Sequence, residues 1–350
     1  MPIFEIHDLS RAGDIRMRRR RAAILLAAIV VVPWVLLQDN GSHVHRHLAL
    51  EAPAFHVRLD PIHVSIPDGP SRSLTASDLT VDLPCASSVI VKAVPELVDR
   101  IIVSVRSGQD AALQAIDVQG GNIRESPGCS EGDGGDFILQ APPTMPLRIV
   151  QSGDLDMHLG RFTGPVTIDG SGSGDVVVEQ AGSLSDQQRS AGDVSVAQIS
   201  GNVVANLTGS GDLRIGSGHA GSLVAALHGS GDLVAGSGAS FDGVQAVLDN
   251  SGDLSLGIVN GHLDAQTTGS GDIGIWVASV DTAQLAGSGS GDILIRAGRI
   301  ETLMAERHGS GDLTVRATVG NAQVSHTGAG DVTLPHVTGH RVVTDSEDNR

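Results

Sequence analysis

Hydrophobic and polar residues alternate through the second half of the chain in a unit that recurs every 18 to 21 residues. Each unit has a small residue, then Gly-Asp, an aliphatic residue, a variable residue and usually a second aliphatic residue. Apolar residues two positions apart are typical of a strand that buries one face. A second alternating segment, such as Val203-x-Ala205-x-Leu207, precedes the next glycine-rich turn. Each unit should therefore hold at least two short strands, with a third around Trp276–Ala278.

Ten aspartates mark the repeat. They are Asp154, Asp175, Asp193, Asp212, Asp232, Asp253, Asp272, Asp292, Asp312 and Asp331. The residue after each of them is aliphatic, beginning with Leu155, and an apolar residue follows two positions later, beginning with Met157. So steady a period predicts a one-dimensional stack of similar units.

The repeat length predicts an all-β fold, a right-handed, single-stranded parallel β-helix over residues 147–340. Twenty residues suit one coil, and coils stack about 4.8 Å apart, so about ten coils give a rod roughly 48 Å long. Residues 48–146 contain short apolar runs separated by Pro, Gly and Ser, which predicts a β-rich N-terminal cap region. Residues 341–350 are predicted to be a polar C-terminal tail.

The N-terminus has the pattern of an export or anchor segment. A basic region, 1–21, ends in four arginines and precedes the uncharged run Ala22–Leu37. As a helix this run spans about 24 Å, on the border between a signal peptide and a membrane-spanning helix. We therefore expect residues 22–38 to be a signal anchor or a signal peptide, with the rest of the chain exported. The true start is either Met1 or Met17.

Histidine and cysteine residues lie in the part predicted to be exported. The linker 39–50 contains His43, His45 and His47, which would share one face of a strand, but a flexible linker is the favoured interpretation and no metal ligand is assigned. Cys85 and Cys129 are the two cysteines of the chain. An even count in an oxidising compartment predicts one disulfide between them.

Composition and charge narrow the classes of function. The chain of 350 residues has seven aromatic residues and a net charge of −17. From 151 to 337 we count 20 acidic residues and seven arginines, which gives a net charge of −13. Such a surface repels phosphate backbones, so nucleic acid is not expected as a partner. Burial must come from stacked aliphatic side chains rather than from large aromatic ones.

Stacking in register would place the ten aspartates in one column, as turn caps or as a cation ladder. Neighbouring carboxylates about 4.8 Å apart repel by about 0.9 kcal/mol in water. One hydrogen bond from a turn N–H to a carboxylate contributes about 1.5–3 kcal/mol, which outweighs that repulsion. The column is therefore expected to be structural and no cofactor is expected, with a row of Ca²⁺ sites as the alternative.

The Gly-Ser-Gly-Asp-aliphatic series resembles the bacterial auto-transporter adhesin head GIN domain family. The resemblance covers about 137–337 well and 48–136 loosely. It implies an exported right-handed β-helix with an adhesin-like role and no established enzymatic activity.

Catalytic candidates are few. His228 and His308 each precede a Gly-Ser-Gly-Asp turn, four repeats apart or roughly 19 Å, too far to act on one bond. No catalytic residue is assigned. The sequence predicts a non-enzymatic envelope protein with a rigid acidic surface for binding, adhesion or scaffolding. It would be held in the inner membrane with its C-terminal domain periplasmic, or secreted if cleaved. The alternative is a carbohydrate-active β-helix enzyme acting on envelope or extracellular polysaccharide.

Overall fold

The computed structural model describes residues 69–125 and 134–345. Within them the chain forms one short helix, α1 (Asp110–Ala115), and otherwise strands and turns. The strands are β1 (Ser71–Thr75), β2 (Leu79–Asp82), β3 (Ser88–Ala93), β4 (Arg100–Val105), β5 (Ile116–Gln119), β6 (Asn122–Glu125), β7 (Asp136–Ala141), β8 (Leu147–Gln151), β9 (Met157–Arg161), β10 (Pro165–Gly170), β11 (Val176–Gln180), β12 (Ser183–Gln188), β13 (Val194–Ile199), β14 (Val203–Leu207), β15 (Leu213–Ala220), β16 (Leu223–Leu227), β17 (Leu233–Asn250), β18 (Leu254–Gly269), β19 (Ile273–Gly289), β20 (Ile293–Gly309), β21 (Leu313–Val315), β22 (Thr318–Gly328), β23 (Val332–Thr333) and β24 (Arg341–Asp345).

Strands from β8 onward pair in parallel with the strand one repeat later. The series β8, β10, β12, β14 and β16 forms one stack, and β9, β11, β13 and β15 form another. From β17 to β20 single long strands run through both stacks. The structure therefore confirms an all-β solenoid of about ten turns. We call one turn of chain in this stack a rung.

The interior is filled by columns of aliphatic side chains. Leu254 pairs with Ile273, which pairs with Ile293, and all three are almost completely buried. The residue between the two inward aliphatics faces outward, as the alternation predicts. The segment around Trp276–Ala278 is also β-structure, because it lies inside β19 and pairs with β20. Departures from the 20-residue period are taken up by register shifts in β15, β17 and β18.

The first repeat is shifted by two residues from the predicted alignment. Met157, not Leu155, pairs with Val176, the first aliphatic residue of the second repeat. Asp156 therefore occupies the position of the repeat aspartate, and Asp154 takes a position that serine holds in the second repeat. The spacing agrees, since the next repeat aspartate lies 19 residues after Asp156 but 21 after Asp154. Pairing of the inward aliphatic residues sets the register, and the first Gly-Asp pair only imitates the motif.

The N-terminal strands continue the same stack, but out of chain order. β2 pairs in parallel with β8 on one side and with β6 on the other, and β3 lies in the same way between β9 and β7. The rung made of β2 and β3 is thus held between the rung of β6 and β7 and the rung of β8 and β9, both of which come later in the chain. β4 and β5 then pair antiparallel with β7 and β6. The predicted protective role of residues 48–146 stays a prediction.

The C-terminal end of the stack extends further than predicted. β24 pairs in parallel with β22, which makes residues 341–345 part of the solenoid rather than of a tail. Inward positions of this last strand carry Arg341, Val343 and Asp345, because they pair with Ala322, Val324 and His326. The last rung therefore carries charged residues at the positions that pair with Ala322 and His326, and all five residues of β24 are exposed.

The predicted N-terminal segments 1–21, 22–38 and 39–50 lie outside the described residues. Among the residues that are described, no helix combines the length and the apolar character needed to cross a membrane.

Candidate functional site: the aspartate column and its surroundings

The repeat aspartates are tied to one another from rung to rung. The backbone N–H of each aspartate donates to Oδ1 of the aspartate one rung earlier, at 2.7–2.9 Å. The series runs through Asp156, Asp175, Asp193, Asp212, Asp232, Asp253, Asp272, Asp292, Asp312 and Asp331. We call this series the aspartate column. Asp154 lies beside it and accepts a hydrogen bond from the Ser173 hydroxyl instead.

Each carboxylate continues the hydrogen bonding of the sheet around the turn. The N–H of Leu254, for example, donates to the carbonyl of Asp272 at 2.9 Å, while the N–H of Asp272 donates to the Asp253 carboxylate at 2.8 Å. The side chain thus satisfies a backbone donor at the point where the strand ends. A turn N–H therefore has a charged acceptor in the neighbouring rung, which makes the bond stronger than one between neutral groups.

Glycine is required in these turns because the rungs approach closely. A Cβ atom on Gly271 would lie 2.2 Å from the carbonyl oxygen of Gly252, and one on Gly291 would lie 2.1 Å from that of Gly271. The earlier glycine of the turn has φ between +112° and +131° at 269, 289, 309 and 328. Asn250 holds the same position with φ of +119°, and asparagine is among the residues that tolerate positive φ best.

Burial and hydrogen bonding act in opposite directions on the pKa of the column aspartates. Burial raises the pKa of Asp175, Asp212, Asp232 and Asp272, and the bond from the next N–H lowers it in part. Neighbouring carboxylates raise the pKa further. Arg214 offsets this in the first half of the column by bridging Oδ2 of Asp193 and of Asp212.

Arg307 offsets the charge of the second half from inside the core. Its side chain is 1% exposed, and Nη2 donates to the carbonyl of Gly291 at 2.7 Å. Burial lowers the pKa of Arg307, whereas Asp292, Asp312 and Asp272 raise it. Gly287 makes the room, because a Cβ atom there would lie 1.6 Å from Nη1 of Arg307.

Sequence reasoning missed a second buried ionisable residue, Asp186. It pairs with Ile168 and Ala205 in neighbouring rungs, so its side chain occupies an aliphatic position and is fully buried. Burial raises the pKa of Asp186 to about 7, with a smaller contribution from Asp169, while a hydrogen bond from Gln188 lowers it. The signal was present: an acidic residue at an inward position of an otherwise apolar alternation.

The aspartate column makes hydrogen bonds between rungs and does not resemble a metal site. No group of three or more His, Cys, Asp or Glu side chains arranged to hold a metal ion occurs among the described residues. Oδ1 of each column aspartate before the last is occupied by a backbone donor. The calcium alternative therefore stays a hypothesis for experiment.

The other sequence candidates are dispersed. The His228 ring lies 3.0 Å from Asp249, and the His308 ring contacts Thr327. The two histidines are four rungs apart, as the repeat spacing predicts. Cys85 is buried and is not a free thiol, but Cys129 lies outside the described residues, so their pairing stays a prediction.

One aromatic and one basic side chain are in contact outside the core, and a second basic residue holds the matching position one rung further on. Trp276, Arg296 and Arg316 follow the buried aliphatic residue of three successive rungs. The guanidinium carbon of Arg296 lies 4.6 Å from the centroid of the Trp276 ring. We call these three residues the Trp–Arg stripe.

No protein-family model matches the chain, and no curated protein matches it. Solved structures with partial likeness include a proposed adhesin from Bacteroides fragilis, 15% identical, which covers 79% of this chain and 96% of its own with a TM-score of 0.29. A proposed adhesin from Parabacteroides merdae is 14% identical, with coverages of 79% and 95% and a TM-score of 0.33.

A proposed lipid-binding protein from Parabacteroides distasonis is 13% identical, with coverages of 79% and 96% and a TM-score of 0.28. These scores are too low for the likenesses to bear on function. Membership of the GIN domain family therefore remains a prediction from the repeat motif.

Proposed function

We propose that this protein is a non-enzymatic, exported envelope protein whose solenoid offers a rigid, acidic surface for binding. The observation that carries the proposal is the hydrogen bond to Oδ1 that the repeat aspartates share. Each of the nine that precede another in the column uses Oδ1 to bind the next backbone N–H. A catalytic carboxylate would differ in environment from its neighbours, because its pKa must suit one reaction.

The proposal also includes the handedness of the solenoid and the cellular location that the sequence predicts. The solenoid is right-handed, as nearly all parallel crossovers are. Residues 22–38 anchor the chain in the inner membrane with the solenoid in the periplasm, or are cleaved to release it. Adhesion or scaffolding is the role, and the ligand lies in the envelope or outside the cell.

Fractionation combined with protease shaving of intact cells tests this location. We expect the solenoid in the membrane or secreted fraction, and cleaved by added protease once the outer envelope is permeabilised. Ile29→Arg puts a charge inside the apolar run and should keep the chain in the cytoplasm. Leu48→Arg adds the same charge outside the run and should not. A wild-type chain that stays cytoplasmic and protected contradicts the proposal.

Measurement of polysaccharide cleavage distinguishes the proposed binding protein from a carbohydrate-active enzyme. A binding protein retains affinity for a polysaccharide without releasing new reducing ends during long incubation. Release of reducing ends by the purified chain, abolished by a single substitution of a surface acid, would establish the enzyme instead.

A further inference from the structure

Three exposed valines lie together on the outer face of the sheet that contains β14, β16 and β17. Val204 pairs with Val224 in the next rung, and Ala226, two residues after Val224, pairs with Val247. Val204, Val224 and Val247 are 46%, 42% and 39% exposed. Because residues two apart on a strand face the same side, these four residues form one apolar patch, which we call the valine patch.

The strands of the solenoid form equally well without valines at these positions. The matching outward positions of β18 and β19 carry Asp264, Gln266, Gln284 and Ala286, and the two strands pair in register there. β-Branched residues favour strands, but strand formation alone does not account for the valine patch. Apolar side chains that are grouped on the surface of a soluble domain commonly mark an interaction site.

Charged residues are distributed over this face in a way that suits a second copy of the same chain. Each strand of the stack β8, β10, β12, β14, β16, β17, β18, β19, β20 and β22 places two residues outward, in the two columns that run through Val224 and Ala226. None of these ten strands has a charged residue in both columns. The pairs are Arg148 and Val150, Thr167 and Asp169, Ser185 and Gln187, Val204 and Asn206, Val224 and Ala226, Gln245 and Val247, Asp264 and Gln266, Gln284 and Ala286, Met304 and Glu306, and Gln323 and Ser325.

Two copies can therefore face each other without opposing like charges. A two-fold axis parallel to the stack, midway between the two columns, brings each column of one copy opposite the other column of its partner. Every charged residue of the ten pairs then lies opposite an uncharged one. This matters because the chain has a net charge of −17, so contacts between its acidic surfaces are repulsive.

The same axis joins a large side chain to a small one at the centre of the valine patch. Ala226 is partly buried between Val224 on its own strand and Val247 in the next rung, so it forms a hollow between larger side chains. The axis places Val224 of each copy over Ala226 of the other. Such an exchange of identical contacts is the property of an isologous interface.

We propose that the valine patch is the centre of an interface between two copies of this chain, which lie side by side with their stacks parallel. Contact over the ten strands covers about 48 Å by 17 Å, or roughly 800 Å² on each copy. This area matches that of a standard specific interface. A strongly charged partner is disfavoured, because it would lose hydration here without meeting an opposite charge. Parallel alignment also leaves both N-termini at the same end of the dimer.

Cysteine cross-linking of the purified full-length chain tests this interface. Val224→Cys is treated with a short bismaleimide over a range of protein concentrations. We expect a covalent dimer whose fraction rises with concentration and with added NaCl, because salt screens the repulsion between the two acidic copies. Gln323→Cys, four rungs further along the same column, should cross-link as well, because a parallel dimer keeps equal rungs together. Wild type and Val98→Cys, which alters an 84% exposed residue outside this face, should give little dimer.

A second substitution in the Val224→Cys chain locates the contact. Ala226→Lys fills the hollow with a charge and should reduce the dimer fraction about fivefold or more, since association would bury an unpaired charge. Val98→Lys makes the same change in charge away from the face and should leave the fraction unchanged. All variants retain residues 22–38, so association through that segment would be common to them. Unchanged melting curves establish that the variants are folded.

Cross-linking of Val224→Cys that does not exceed that of Val98→Cys at any concentration overturns the proposal. A dimer that survives Ala226→Lys undiminished lies elsewhere and overturns it too. Cross-linking of Val224→Cys without that of Gln323→Cys contradicts the parallel alignment on which the pairing of the columns depends. These outcomes are independent of the protease-shaving result, so dimerisation and export fail separately.

Discussion

At the scale of single residues, two features of the turn are explained by contacts between rungs. Glycine is needed because a carbonyl of the neighbouring rung occupies the space of a Cβ atom, and aspartate because its carboxylate accepts the next N–H. The sequence predicted that the aspartates act at turns. It did not identify the donor, because a donor 18 to 21 residues away is visible only once the rungs are stacked in register.

The close approach of neighbouring rungs predicts opposite results for two substitutions of glycine by alanine. Gly271→Ala should lower the free energy of unfolding by about 1–3 kcal/mol, because its Cβ atom would overlap the Gly252 carbonyl. Gly243→Ala should be neutral or slightly stabilising, since the nearest atom to its Cβ lies 3.9 Å away. Denaturant unfolding measures both, and an equal loss of stability in the two variants would refute the close-approach argument.

Asp186 predicts a pH dependence of stability that is specific to one side chain. Its folded pKa of about 7 lies above the ordinary value of 3.8, so folding favours the neutral acid. The contribution of neutral Asp186 to the free energy of unfolding is therefore complete below pH 4 and is lost as the pH rises through 7. The difference between the folded pKa and the ordinary pKa corresponds to about 4 kcal/mol in the free energy of unfolding.

Asp186→Asn removes this titration. The variant should melt several degrees above the wild type at pH 8, and the gap should close as the pH falls to about 4. Asp281→Asn, at an exposed position, should show the same small difference at both pH values. A gap for Asp186→Asn that does not change with pH would show that Asp186 is not a neutral acid in the fold.

At the scale of strands, the alternation of buried and exposed residues could be predicted from the sequence. The order of the rungs at the N-terminal end could not. The aliphatic positions of the repeat were assigned correctly from the second repeat onward, because period-two burial is written in the local sequence. The placement of β2 and β3 between β6–β7 and β8–β9 depends on pairings between distant segments. No local pattern specifies such pairings.

The last rung has the features of an end that resists further stacking. Arg341 and Asp345 occupy the inward register positions where the preceding strand has Ala322 and His326, and both are exposed at the end of the stack. Charges that point inward on an edge strand discourage pairing with another chain, because association would bury them.

Arg341→Leu combined with Asp345→Val should therefore promote association through this end. Sedimentation velocity over a range of concentrations would reveal species larger than the wild type. Val342→Thr and Val343→Thr together, which make the same strand more polar, should not increase association. A double variant Arg341→Leu/Asp345→Val with the wild-type sedimentation behaviour would contradict the assignment of this rung as a closing element.

At the scale of the whole molecule, the stack concentrates negative charge along one line and balances it from two sides. Arg214 acts from the outside and Arg307 from the core. The fold class could be predicted from the sequence because each repeat has the same pattern of glycine, aspartate and aliphatic residues. The two buried ionisable residues, Arg307 and Asp186, could not be predicted in this way, because each is a single departure from the pattern and the sequence alone gives no measure of how deeply it is buried.

Calcium provides a test of the column on this scale. If hydrogen bonds hold the carboxylates, the melting temperature in millimolar Ca²⁺ should equal that in EDTA at the same ionic strength. A large rise with Ca²⁺, absent with Mg²⁺, would establish a row of calcium sites instead.

Each repeat aspartate ties two rungs by accepting a backbone N–H, and amide hydrogen exchange at Asp272 measures this bond. That N–H donates to Oδ1 of Asp253 at 2.8 Å. Asp253→Ala should speed its exchange and lower the free energy of unfolding by about 1–3 kcal/mol. Asp253→Asn keeps an acceptor oxygen and should retain most of the protection, and Asp281→Ala should change neither quantity. Unchanged exchange at Asp272 in Asp253→Ala would show that the carboxylate does not hold the two rungs together.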